Sequence, residues 1–129
     1  MRCCVKIKLV ILNKGAKVKL KQIGEILMDN GKYKEVPCER YEHKVGNYIL
    51  KLLVHASDQP WSIGVLDISE YYTGYRLTST NKAVSSSSMK DVRLAVEEFV
   101  NQHGIDKIKD KIDWFLANSD RDVEEWQKI

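Results

Sequence analysis

Tyr48-Ile49-Leu50-Lys51-Leu52-Leu53-Val54-His55 is the stretch whose reading sets the fold class. Tyr48, Leu50, Leu52 and Val54 occupy alternate positions, so an extended chain sends all four to one side. Asp58-Gln59-Pro60 then reads as a turn, and Trp61 to Ser69 as a second strand with Ile63, Val65, Leu66 and Ile68 apolar. Thr73-Gly74 breaks it, and Tyr75-Arg76-Leu77-Thr78-Ser79-Thr80 reads as a third. Intervals this short leave no room for a crossover helix, so the spacing predicts an antiparallel meander over about 45–80.

Downstream the apolar period changes from two to about 3.6. Ser88 and Asp91 have capping-box spacing, and Met89, Val92, Val96, Phe99 and Val100 make one helical stripe, read as a structural cover for the sheet, with Gly104 as its stop. Ile105, Ile108, Ile112, Phe115 and Leu116 mark another helix. Ser119 with Asp122 has the spacing of a second capping box, opening a short terminal helix that carries Val123 and Trp126. Upstream, residues 3–12 alternate as a strand through Val5, Ile7, Leu9 and Ile11. Residues 17–31 fit a helix through Leu20, Ile23, Ile26 and Leu27. They also fit a strand turning at Asp29-Asn30-Gly31, with Gly24 opposing the helix; the helix is favoured. Residues 32–44, polar and holding Pro37, read as an exposed loop or edge strand. The expectation is one α+β domain over 1–129: an antiparallel sheet, the meander plus an N-terminal strand, covered by C-terminal helices.

Charge is unevenly placed. Residues 1–64 hold twelve Lys and Arg against six acids, and residues 65–129 hold nine against twelve. The first half is therefore basic and the second acidic, which argues against a wholly anionic surface and against a dedicated nucleic-acid binder. Lys6, Lys8, Lys17, Lys19 and Lys21 alternate with apolar residues, giving one greasy and one cationic strand face. Such a face suits an acidic protein partner or, by phosphate contact alone, nucleic acid. It also suits a solvated edge protected by lysine.

The three cysteines, Cys3, Cys4 and Cys38, are odd in number and frame no disulfide set, so free thiols in a reducing cytoplasm are expected. Cys38 and His43 lack the paired spacing of a zinc site, and the chain shows no phosphate-binding glycine loop. No cofactor or metal is expected. No membrane span or signal segment is read. His55 with the neighbouring Ser57 and Asp58 is too local for a triad and reads as an edge-strand histidine. Asp67 and Glu70 read as solvated or paired carboxylates. Tyr71, Tyr72 and Tyr75 flank a hairpin tip, and Tyr71 and Tyr72 cannot both face inward, so these rings are candidate binding anchors.

In size and lysine-rich composition the chain resembles the small accessory proteins of phages and mobile elements. That resemblance implies a non-enzymatic inhibitor or adaptor working by protein–protein contact. The alternative is a weak, non-sequence-specific nucleic-acid binder using the basic N-terminal edge.

Overall fold

The computed structural model describes residues 16–57, 59 and 63–127. They form a five-stranded antiparallel meander, β1 (Gln22–Leu27), β2 (Tyr33–Val45), β3 (Tyr48–Ala56), β4 (Val65–Glu70) and β5 (Arg76–Ala83), in the order of the chain. A 3₁₀ turn (Val84–Ser86) leads into α1 (Met89–His103) and α2 (Ile105–Ala117). This is the α+β arrangement expected. The N-terminal strand over 3–12, with Lys6 and Lys8, and the turn and strand start at Asp58, Pro60 and Trp61 lie outside the described residues.

The sheet is covered on one face by both helices. Leu50, Leu52 and Val54 of β3 and Leu66 and Ile68 of β4 meet Val92, Val96, Val100, Ile108 and Ile112. Each is a large aliphatic side chain withdrawn from water, worth roughly 1.5–3 kcal/mol. The capping box that starts α1 is present in full: Ser88 Oγ accepts from Asp91 N–H, and the Asp91 carboxylate accepts from Ser88 N–H. The hydrogen bond from Ser88 N–H, reinforced by Lys82 at 3.0 Å, holds the Asp91 carboxyl below the usual range. Leu53 is also fully buried, on the opposite face, where it clusters with Cys38 and Tyr71. The sheet is therefore covered on both sides at β3.

Several expectations are corrected. Residues 17–31 are not a helix; they contain β1 and a tight turn. Gly24 suits this packing: a Cβ there would stand 2.7 Å from Leu53 Cδ1, two strands away. A larger residue there would require the buried Leu53 side chain to move. The turn is stabilised by Asn30 Oδ1, which accepts from Lys32 N–H at 2.9 Å, and by Gly31 at φ +80°. Residues 32–44 are not a loop; they make up most of β2, the longest strand, which pairs with β1 over 33–38 and with β3 over 38–45, so each half is paired on one side only. Pro37 is tolerated because its partner is Ile23 of β1, whereas β3 pairing begins one residue later at Cys38. His55 is no edge residue. It lies on the central strand, is 2 % exposed, and bonds Ser69 Oγ through Nε2 at 2.8 Å. Residues 119–127 form no helix, and Ser119 Oγ accepts from Arg121 N–H instead. Tertiary docking of Val123 and Trp126 outweighs the local capping signal.

The carboxylates at 67 and 70 are buried rather than solvated. Asp67 Oδ2 pairs with Arg76 Nε at 3.0 Å. Glu70 accepts from Thr73 N–H at 2.7 Å and Tyr72 N–H at 3.1 Å, which fixes the turn at 71–74. Burial raises the Glu70 carboxyl above the usual range despite those bonds.

Candidate functional site

The β4–β5 turn decides where the tyrosines go. Glu70 N–H bonds Tyr75 O, and Gly74 N–H bonds Glu70 O, each at 2.8 Å. This closes a loop tight enough to point successive rings to different sides. Gly74 has φ +74°, and a Cβ there would come within 2.9 Å of Leu27 N. The end of β1 is bound to this turn, since Leu27 N–H donates to Gly74 O at 2.9 Å.

Tyr75 emerges on the helix side, 49 % exposed, with its ring edge-to-face against Phe115 at 5.2 Å. Beside it opens a groove of about 810 Å³ between the β4–β5 turn, the start of β5 and α2. Leu77, Phe99, Ile108, Ile112, Phe115 and Trp114 supply its apolar walls. Trp114 is 67 % exposed. On a helix, large apolar residues normally face the core, and Ile108 and Ile112 do so. Trp114 is out of phase with that stripe and stands on the charged face. Lys107 and Lys111, one turn apart on α2, rim the groove with His103 and Arg76, against one acid, Asp110. His103 stacks on Phe99, their ring centres 4.4 Å apart. Arg76 is partly committed to Asp67. The lysines are exposed and bring positive potential to an apolar surface.

Tyr71 and Tyr72 go the other way. Tyr71 is 8 % exposed and stacks edge-to-face on both Tyr72 and Trp126 at 5.0 Å. Its hydroxyl donates to Glu124 O at 2.9 Å, and that of Tyr72 to Glu125 Oε2 at 3.0 Å. The chain leaving α2 thus rounds the turn and closes over the face that the helices leave free. Arg121 secures the passage: its Nε donates to Tyr72 O at 2.9 Å and its guanidinium lies 3.6 Å over the Tyr33 ring.

Lys17, Lys19 and Lys21 are exposed, on the segment entering β1. Lys17 bridges to Ser88 at the start of α1, and Lys19 N–H donates to Glu39 Oε1. β1 then runs its whole length before reaching Gly74, roughly 20 Å at a strand's rise. The two patches singled out in the sequence therefore lie at opposite ends of β1, and the three tyrosines themselves are split between two faces. Cys38 and His43 project from opposite faces of β2, by the alternation of the strand. Cys38 is fully buried, and desolvation pushes its thiol up to about 11. Among the described residues no cluster of three or more His, Cys, Asp or Glu could hold a metal, and no helix is long and apolar enough to cross a membrane.

Sequence reasoning missed Trp114, Lys107 and Lys111 as a set. The available signal was an aromatic residue standing off the isoleucine stripe of α2. No family model, curated protein or solved structure matches this chain.

Proposed function

We propose that this protein is a binding module whose groove beside Tyr75 receives an amphipathic helix from a partner protein, the helix carrying acids along its flank. The observation that carries this reading is an open apolar groove, about 810 Å³, walled by Trp114, Phe115 and Phe99 and rimmed by Lys107 and Lys111. Grooves of this kind take large side chains at i, i+3, i+4 and i+7 of a partner helix. The two lysines, about 6 Å apart along α2, match acids spaced four residues apart on such a helix. Exposed aromatic area beside cations is the composition of an interface anchor, since rings supply buried area and lysines steer approach. Acting by occupying a partner's helix fits an inhibitor or adaptor.

The test is a titration with two synthetic amphipathic helices of equal apolar face, one flanked by Glu and one by Lys. The Glu peptide is expected to bind, and Trp114→Ala to weaken it at least tenfold at every salt concentration. Lys107→Glu with Lys111→Glu should weaken it most at low salt. Equal affinity for both peptides, or no effect of Trp114→Ala in a folded protein, overturns the reading. Binding lost only on mutation of Lys17, Lys19 and Lys21 would point to the basic edge and to polyanions instead.

A further inference from the structure

We infer that the sheet face carrying Arg40, Tyr71 and Tyr72 is a second binding surface, for an extended acidic segment with an aromatic residue, and that residues 121–127 occupy it in cis. The occupant itself states the chemistry: Arg121-Asp122-Val123-Glu124-Glu125-Trp126-Gln127 lies there without regular structure. Val123 and Trp126 insert their side chains against Cys38, Leu53 and Tyr71. Trp126 Nε1 donates to Glu42 Oε2 at 2.8 Å, and Trp126 N–H donates to Tyr72 Oη at 3.2 Å.

Two features mark this as a ligand-like contact rather than an integral strand. First, among the described residues no main-chain-to-main-chain hydrogen bond joins 119–127 to the sheet. Every bond across the junction uses a side chain on at least one partner, as in recognition of a peptide. Second, the fit is incomplete at Arg40. Its guanidinium is held between the Tyr71 and Trp126 rings, 5.2 Å from each centre. Its Nη1 donates to the main-chain carbonyl of Gln127 at 3.4 Å, and among the described residues its buried Nε has no hydrogen-bond partner. A guanidinium edge with an unpaired Nε is matched by a carboxylate taking two parallel bonds. The described part of the segment brings only the Gln127 main-chain carbonyl to Arg40, and no carboxylate. A partner segment with an acid just after its aromatic residue satisfies Arg40 fully and displaces residues 121–127. This surface faces away from the helices, so the inference stands apart from the groove.

The probes are two nine-residue peptides, one with the sequence of residues 119–127 and one with Gln127→Glu. They are titrated against full-length Val123→Ala/Trp126→Ala protein, in which the resident segment is loosened. Binding of both peptides is expected, the Gln127→Glu peptide about tenfold tighter, with Arg40→Lys removing that difference. A folded variant that binds neither peptide, or binds both equally, overturns the inference. Should the double variant not fold, Gln127→Glu in the otherwise natural full-length chain serves. It should raise the melting temperature and slow amide exchange at 121–127, and Arg40→Lys should cancel both changes. No such stabilisation overturns the inference equally.

Discussion

On one side of the turn at 71–74, Tyr71 and Tyr72 are covered by residues 121–127; on the other, Tyr75 and Trp114 stand open to solvent. The composition of the two surfaces is similar, with aromatic rings, a few cations and buried aliphatic residues beneath. What differs is whether the chain supplies its own cover. Where it does, a tyrosine is held by a hydroxyl bond, two stacked rings and near-complete burial, and its contribution is to stability. Where it does not, the same residue type keeps half its surface in water and is available to another molecule. Residue type alone therefore does not assign an aromatic ring to core or interface; the path of the chain after α2 does.

The largest effect should separate those two roles. Tyr71→Ala removes a buried ring, its stacking on Tyr72 and Trp126 and its bond to Glu124 O, and should cost about 3–5 kcal/mol in denaturant unfolding. Tyr75→Ala should cost less than about 1 kcal/mol, in keeping with a surface substitution. Equal losses would mean that the two sides of the turn do not differ as described.

Next comes the turn that divides them. Gly74→Ala meets both a positive φ and a main-chain atom, Leu27 N, at 2.9 Å. It should cost more than the ~1–2 kcal/mol of left-handed strain alone. Gly31→Ala, at φ +80° with nothing within 4 Å, should cost only that strain. The two substitutions, compared by thermal unfolding, isolate the contribution of the close approach between β1 and the turn.

A smaller, pH-dependent effect belongs to Glu70. Burial raises its carboxyl in the folded state. Protonation is thus favoured by folding, and this contribution is complete below the unfolded value of about 4.3 and is lost as pH rises through the folded value. Glu70→Gln should flatten that decline in an unfolding series from pH 4 upward. A decline unchanged by the substitution would assign it to another group.

Much of this architecture was legible in the chain. The strand alternation at 48–55 and the capping box at Ser88 and Asp91 are local patterns present as read, and the meander is present with its second strand starting at Val65, Ile63 and Gly64 forming a turn instead. What was not legible depended on residues far apart in sequence. Gly24 counted only against a helix; its close contact with Leu53, two strands away, shows in the folded sheet alone. Ser119 and Asp122 carried a valid local signal that lost to Tyr71 and Leu53, far away in sequence. His55 at the end of an apolar run gave no sign that its strand would be central. Of the candidate site, Tyr75 was visible beside a turn. Its companions Trp114, Lys107 and Lys111 were not, because the groove exists only once α2 lies beside β5.

Backbone amide shifts across the whole chain, recorded during titration with the Glu-flanked amphipathic helix, bear most directly on the open groove as the working surface. Changes should concentrate on Tyr75, Leu77, His103, Lys107, Lys111 and Trp114, with residues 16–21 and 121–127 unmoved. Shifts confined to Lys17, Lys19 and Lys21, or no shifts at peptide concentrations well above the protein's, would contradict it.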